Sequence, residues 1–488
     1  MKNLIRDFRL LLWGMDARTG LTFDDVLLVP RRSAVKSRKD VNVSTKLSRR
    51  ISLSHPIVSS NMDTVTEVEM AISMARSGGI GILHRFLPAE EQAKMVSRVK
   101  RAASYKIDTP YTTGADAKIT ELQSFMKEKG VHSILVVDSE NKLLGIVTSR
   151  DLRFIENGSK VSSIMTPREK LICGDPKISI DKAKGLLSEN RIEKLPLVDS
   201  NNTLKGLITA KDILNITQRP HASTDDKGRY LVGAAIGVKE GYLDRATTLV
   251  EAGVDALVVD VAHGHSDLAI DTVNTVKEKF PSVDIIAGNV ATAEGTKDLI
   301  DAGADAIKVG VGPGSICITR VVTGSGVPQL TAIIDCAEEA VKSKIPIIAD
   351  GGIRTSGDIS KALAAGASSV MVGNLLAGTE ESPGKTLMKD NRKVKIIRGM
   401  AGYISNMSKL ERDHIHSDAL DIVPEGVEGY VPYRGHTSDI LNQLIGGLKS
   451  GISYCGSHNI EEMQKKSKFI RVTSAGKAES KSHDISKV

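Results

Sequence analysis

Two kinds of hydrophobic patterning divide this chain. From about Leu231 onward, short uninterrupted runs of Val, Ile, Ala and Leu alternate with amphipathic stretches. The runs are Tyr230–Gly237, Ala256–Ala262, Val283–Val290, Ala306–Gly312, Ile345–Gly352 and Ser369–Asn374. Helical periodicity marks Tyr242–Glu251, Ala293–Asp301, Thr331–Ser343 and Thr355–Ala365 between them. Continuous apolar strands at this spacing predict a parallel sheet with helical crossovers. The phrase Ala-Gly-Val/Ala-Asp-Ala recurs at Ala252–Ala256 and Ala302–Ala306, with a variant at Ala365–Ala367. Its glycine closes a helix just before the next strand. Six such strands exceed one mononucleotide-binding half. An α/β fold of the (β/α)8 TIM-barrel type fits better, with its first units near Pro56–Asp63 and Gly78–Phe86. A doubly wound open sheet would carry a Gly-x-Gly-x-x-Gly turn after its first strand, and none stands there.

The second pattern is an internal repeat. Gly130–Leu152 resembles Arg191–Ile213: Asp138 matches Asp199, Gly145 matches Gly206, Thr148 matches Thr209 and Asp151 matches Asp212, each pair 61 residues apart. Each copy reads as apolar strand, polar turn, apolar strand, then a helix opened by Thr-x-x-Asp. Two copies in tandem should pack together, because one alone cannot cover its sheet. The pattern resembles a tandem pair of CBS modules, often adenine-nucleotide sensors; a purely structural insert is the alternative. The expected organisation is therefore residues 1–106 as the first part of a catalytic barrel, 107–216 as an inserted regulatory CBS pair, and 217–488 as the rest of the barrel.

Composition narrows the partners. Net charge is +7 on 488 residues, a mild bias that suits anionic small ligands and does not mark a nucleic-acid surface. Aromatics are 3%, too few for base-stacking platforms. The apolar run Leu10–Trp13 is too short to span a bilayer and lacks a cleavage site, so Met1–Met15 reads as an N-terminal arm; no membrane is expected. Cys173, Cys317, Cys336 and Cys455 show no metal-binding spacing and suit a reduced, cytoplasmic compartment. The terminal Ser486-Lys487-Val488 is near a peroxisomal address, so a peroxisome-like organelle (glycosome) is the alternative to an ordinary polar tail.

Candidate chemistry collects at the strand ends. After the Ala306–Gly312 strand comes Gly312-Pro313-Gly314-Ser315-Ile316-Cys317-Ile318-Thr319. Glycines let backbone N–H groups approach an anion, and Ser315 adds a hydroxyl. These dipoles favour a thiolate at Cys317, the attacking species in covalent catalysis. A single cysteine is otherwise a small apolar residue, and that reading suits Cys173, Cys336 and Cys455 better. Asp350-Gly351-Gly352 and Gly373-Asn374 end the next two strands, offering a carboxylate for ribose hydroxyls and glycine backbone for phosphate. Asp260 and Asn289 end strands of the same mouth, and Thr319 and Glu381 are placed to move protons. His84, His263 and His265 read as loop residues.

Leu21–Pro30, Ser59–Glu67, Gly310–Arg320, Ile348–Ile359 and Ile396–Gly402 together resemble the IMP dehydrogenase/GMP reductase family, over nearly the whole chain. The resemblance implies a homotetramer of barrels, with octamers as an extension. It also implies a Cys317 thiolate that forms a covalent adduct at purine C2. It assigns Ser315, Gly352, Gly373 and Asn374 to phosphate, Asp350 to ribose, and Met400 and Glu425 to the base. Asp260 and Asn289 fall to the nicotinamide cofactor, and a potassium ion to backbone carbonyls of Gly312, Gly314 and Cys317.

Two activities share the intermediate. The dehydrogenase oxidises IMP with NAD and hydrolyses the adduct; the reductase expels ammonia from GMP and accepts hydride from NADPH. Dehydrogenases carry an Arg-Tyr pair in a mobile flap. The matching stretch, Leu410–His414, has Arg412 and no tyrosine. Asn61 and Val261 also resemble reductases, whereas the CBS insertion, Ala377–Gly384 and Val431–Gly435 resemble bacterial dehydrogenases. Reductase is the expectation, dehydrogenase the alternative, and a non-catalytic nucleotide sensor the alternative from another class.

Overall fold

Eight parallel strands close into a barrel in strict chain order: β1 (Ile57–Ser59), β2 (Ile80–Leu83), β3 (Val232–Ile236), β4 (Ala256–Asp260), β5 (Asp284–Val290), β6 (Ala306–Val309), β7 (Ile347–Asp350) and β8 (Ser369–Val372). The ring shuts where Met371 of β8 pairs with Val58 of β1. This computed structural model describes residues 18–102, 106–152, 159–217, 221–402 and 423–480. The N-terminal arm Met1–Met15, the Leu410–His414 stretch with Arg412, and the terminal Ser486–Val488 lie outside the described residues. Among the described residues no helix is long and apolar enough to cross a membrane.

Every strand run read from the sequence carries a barrel strand, but most of those strands stop short of the run's end. Ala306–Gly312 holds only Ala306–Val309, and Ile345–Gly352 holds Ile347–Asp350. The leftover residues turn away as loops, with Gly312 at φ +80 and Gly351 and Gly352 at φ +93 and +78, which glycine tolerates without strain. The helix expected over Thr331–Ser343 runs from Gln329 to Ala340 and tightens into a 3-10 turn, Val341–Ser343. Pro328 starts it earlier than the apolar periodicity does. The 18-residue helix Thr437–Tyr454 packs on both Ser356–Ala364 and Val68–Ser77, filling the last place in the outer ring.

Strand alternation decides what fills the barrel. Ala256, Val258, Ile286, Ala306, Ile348 and Met371 share one buried apolar cluster with Leu47, Ile51 and Leu53 of an N-terminal hairpin that seals the base. Two residues further along the same strands, the inward positions are Asp260, Lys308 and Asp350. A charged layer thus lies directly above an apolar one, toward the strand ends where barrel enzymes keep their chemistry.

The chain divides into two units, the barrel and a second unit of Arg101–Pro220 with Thr224–Tyr230. The expected insert, 107–216, falls within the second. Its two copies carry matched hairpins, Ser133–Val137 with Leu143–Thr148 and Lys194–Val198 with Leu204–Thr209. Asp138 Oδ1 accepts from the Glu140 and Lys142 N–H groups, and Asp199 Oδ1 from those of Asn201 and Thr203. The copies join reciprocally: Asn141 Nδ2 donates to the Leu204 carbonyl at 3.1 Å, and Asn202 Nδ2 to that of Leu143 at 2.9 Å. Leu135, Leu143, Leu204 and Leu207 share one core, as expected of modules that cannot cover their sheets alone.

Candidate active site

Lys308 sits at the centre of the mouth, its side chain 2% exposed. Its ammonium donates to Asp260 Oδ1 at 2.7 Å, to Asp350 Oδ2 at 3.0 Å, and to Asn289 Oδ1. Three donors meet three acceptors from β4, β5 and β7. Asn289 in turn donates from Nδ2 to the Gly310 carbonyl at 2.7 Å and to Asp350 Oδ2 at 3.0 Å. Burial alone would push Lys308 toward neutrality, but Asp260 and Asp350 outweigh it and hold the ammonium above the ordinary lysine range. Burial likewise opposes the Asp260 carboxylate, yet Lys308 and Arg85, with a bond from Asn61, keep it below the usual carboxylate range.

The cysteine loop is fastened by backbone. The Cys317 N–H donates to the Gly314 carbonyl at 3.1 Å, and the Ile318 N–H to the Glu425 carbonyl at 2.8 Å. The Val427 N–H donates to Ile316 at 2.9 Å, which clamps the loop against the segment around Glu425. That clamp brings three reactive groups into line. Cys317 Sγ lies 3.1 Å from Thr319 Oγ1, and Thr319 Oγ1 donates to Glu425 Oε2 at 2.7 Å. The Glu425 N–H donates to the Ala401 carbonyl at 2.9 Å, and Ala401 and Met400 line the cavity that Cys317 also lines.

Two adjoining cavities share Ser60, Met62, Pro313, Gly314, Asp350 and Gly351. The first, about 340 Å3, holds Cys317, Thr319, Asp260, Asn289, Lys308 and Met400, with Arg85 and Phe86 also in its lining. The second, about 490 Å3, holds Ser315, Gly352, Gly373 and Asn374. Asn374 Nδ2 donates to Ser315 Oγ at 3.3 Å, joining the two loops that the sequence assigns to phosphate. Gly351 allows the β7 loop to meet the cysteine loop, since a Cβ there would stand 2.8 Å from Pro313 and 3.1 Å from the Gly314 nitrogen. At the junction, buried Ser60 Oγ has no partner among the described residues, a hydroxyl left for a ligand.

Cys317, Thr319, Ser315, Asp350, Gly352, Gly373, Asn374, Met400, Asp260, Asn289, Gly312 and Gly314 all line one of these cavities. Glu425 reaches the site through Thr319. Glu381 does not join them. Its carboxylate accepts from the Thr437 N–H and Oγ1, both at 2.8 Å, and so caps the helix Thr437–Tyr454. The carboxylate that meets Thr319 Oγ1 is that of Glu425, 106 residues away in sequence, and not that of Glu381, which chain position alone puts forward for proton transfer. Lys308 and Ser60 carry bonding roles that the sequence reading missed; a lysine inside the apolar run Ala306–Gly312 was the available signal. Cys336 is buried and pushed up to about 12 by that burial, the behaviour of an inert thiol. Among the described residues no cluster of His, Cys, Asp or Glu could hold a metal ion. The loop carbonyls are the donor type a hard monovalent cation takes, and Gly314 O keeps a lone pair beyond its bond from Cys317.

Residues 20–483 match the family model described as IMP dehydrogenase / GMP reductase domain. GMP reductase from Leishmania major is 54% identical over 481 residues, covering 96% of this chain and 98% of that protein. Inosine-5'-monophosphate dehydrogenase from Nitrosopumilus maritimus is 53% identical over 475 residues, covering 96% and 99%. A solved structure of a cysteine-to-alanine variant of GMP reductase from Trypanosoma brucei, in complex with guanosine 5'-monophosphate, is similar with a TM-score of 0.92. It is 50% identical and covers 97% of this chain and 100% of that one.

Proposed function

The chain belongs to the IMP dehydrogenase/GMP reductase family of purine nucleotide oxidoreductases, and from that premise we propose that it is a GMP reductase. The reaction is reductive deamination of GMP to IMP and ammonia with NADPH. The observation that carries this reading is the line Cys317–Thr319–Glu425 beside a nucleotide-sized cleft.

The geometry supports the following sequence. Phosphate binds at Ser315, Gly352, Gly373 and Asn374, and Asp350 accepts from the ribose. The Cys317 proton passes through Thr319 Oγ1 to Glu425 as the sulfur adds to C2 and the C2=N3 electron pair moves to N3. Glu425 returns that proton through Thr319 to the amino group, which leaves as ammonia while C2=N3 re-forms, still bonded to sulfur. A hydroxyl backed by a carboxylate is suited to both transfers. NADPH, when bound on the Asp260 and Asn289 side, supplies hydride to C2; the C2–S bond then breaks, releasing IMP and the thiolate. Asn61 and Val261, the two positions that resemble reductases, both line the cavity beside Cys317. The absence of tyrosine beside Arg412 supports the same choice, because the hydrolytic step has no Arg-Tyr pair.

A dehydrogenase oxidising IMP with NAD is the second reading, favoured by the almost equal likeness to the Nitrosopumilus enzyme. A silent nucleotide sensor would have no use for the intact relay. The proposal extends to a potassium ion on the Gly312, Gly314 and Cys317 carbonyls, whose oxygens fit it and which it would hold in shape. It extends also to purine nucleotides regulating the enzyme through the tandem repeat in 107–216 as a CBS pair, to a homotetramer able to form octamers, and to a cytoplasmic or glycosomal location. The test is absorbance at 340 nm in two cuvettes. Loss of absorbance with GMP and NADPH, with ammonia and IMP formed, is the expected result. Gain with IMP, NAD and potassium, with XMP formed, would replace this reading by the dehydrogenase.

A further inference from the structure

Lys308 has no place in the reaction sequence above, yet it is the most completely bonded charge in the mouth. Its three N–H donors are used by Asp260, Asn289 and Asp350. Both contacts on Asp350, from Lys308 and from Asn289, fall on the same oxygen, Oδ2. Oδ1 carries neither of these bonds, and Asp350 lines both cavities. A carboxylate torsion is broad and roughly two-fold when nothing restrains it. An ammonium fixed on one oxygen removes that freedom before the ligand arrives. The same ammonium holds Asp260 in the cavity beside Cys317. One buried atom therefore fixes two carboxylates of the cavity that Cys317 also lines.

We infer that Lys308 is a positioning residue for the nucleotide: it presents Asp350 Oδ1 to the ribose hydroxyls and so sets the enzyme's preference for an intact ribose. The inference rests on the proposed nucleotide site, with ribose at Asp350, but not on which nucleotide reaction follows. Lys308 does not touch the reacting atoms; it acts through Asp350. A purely structural lysine would weaken the protein without changing which sugar it prefers.

The experiment is calorimetric binding of GMP, 2′-deoxy-GMP and 3′-deoxy-GMP to the full chain and to Lys308→Gln and Lys308→Arg. A hydroxyl donated to a charged acceptor implies a wild-type preference for GMP over at least one deoxy analogue on the order of 10- to 100-fold in Kd. Lys308→Gln is expected to shrink that preference to below about threefold, chiefly by weakening GMP, because an Asp350 held only by the neutral Asn289 amide no longer presents Oδ1 firmly to the hydroxyl. Lys308→Arg, which keeps the charge, is expected to restore most of it. Weaker binding of all three nucleotides by one common factor would overturn the inference. Should Lys308→Gln fail to fold with two buried carboxylates uncompensated, the double variant Lys308→Gln/Asp260→Asn removes one charge of each sign and keeps Asp350. It too is expected to lose the ribose preference, and full retention would overturn the proposal. Turnover of GMP with NADPH by the same wild-type preparation reports separately on the reductase reading: binding selectivity without turnover would leave Lys308 in its role and remove the reaction.

Discussion

The two ends of the barrel both bury charge, and they use it differently. At the base, Asp284 accepts from Ser48 Oγ at 2.5 Å and from the Arg50 N–H at 3.0 Å, and Asp305 accepts from Lys277 Nζ at 2.6 Å and the Ile285 N–H at 2.9 Å. Those carboxylates tie a sealing hairpin and an outer helix to the strands, and neither lines the two cavities of the mouth. At the mouth, Lys308 holds Asp260 and Asp350 just as firmly, but both line a cleft, where buried Ser60 Oγ has no partner among the described residues. Buried charge alone therefore does not mark a site. What marks it is a group fixed on one side and unsatisfied on the side that faces a ligand-sized space.

The contrast is sharpened most by Thr319→Val and Glu425→Gln. The first removes the hydroxyl of the relay, and the second keeps a hydrogen-bond acceptor but removes the proton carrier. Each should lower kcat by about 10²- to 10⁴-fold, the usual worth of positioned acid–base catalysis. KM for GMP should move far less. Because the two act as one unit, the double variant should lose little more than either single one. Additive losses, or a change confined to KM, would mean that the mouth binds nucleotide without relaying protons.

The sequence made the loops legible and left the layer beneath them unread. Cys317, Ser315, Asp350, Gly352 and Asn374 stand out because glycine and polar residues interrupt apolar runs, and a loop of that composition reports its own chemistry. The eight strands were legible for the same reason, since a doubly covered parallel sheet needs unbroken apolar text. Lys308 was not, because its meaning lies in three partners on other strands, 48, 19 and 42 residues away. Chain position alone puts Glu381 forward for proton transfer, yet chain proximity carries no direction. Glu425 lies farther along the chain and is brought in by backbone pairing around Gly426, which no local pattern records.

At the base, His55 offers a way to break the contrast. It is 2% exposed, and its Nδ1 accepts from the Ile57 N–H at 3.2 Å, while Nε2 has no partner among the described residues. Burial lowers it from 6.5 to about 4. The unfolded chain therefore binds a proton that the folded one refuses between those values. The stability due to neutral His55 is complete above pH 6.5, is lost as pH falls from 6.5 toward 4, and changes no further below. The shift corresponds to about 3 kcal/mol in all, of which about 2 kcal/mol should be lost between pH 7 and pH 5. Urea unfolding of wild type and His55→Gln at those two pH values measures it: the stability advantage of wild type should shrink by roughly that amount at pH 5. An advantage independent of pH would mean that His55 finds an ionic partner, and the base would then hold spare capacity of the kind seen at the mouth.

The smallest effect falls on Glu381, the residue on which chain position and structure disagree. Its carboxylate satisfies the first N–H of an 18-residue helix and the hydroxyl of the same residue, Thr437. Burial works against that charge, but the Thr437 bonds more than offset it and the carboxyl stays below its ordinary range. A charge at a helix N-terminus is also favoured by the aligned peptide dipoles. Glu381→Gln keeps one acceptor and loses the charge, so unfolding should become easier by about 1 kcal/mol, the scale of a weakened cap. The kcat should stay within about threefold of wild type, since the proposed acid–base effect on the 10²-fold scale falls to Glu425, which bonds Thr319. A 100-fold fall in kcat with unchanged stability would return Glu381 to the proton path and would require the Thr437 cap to open during turnover.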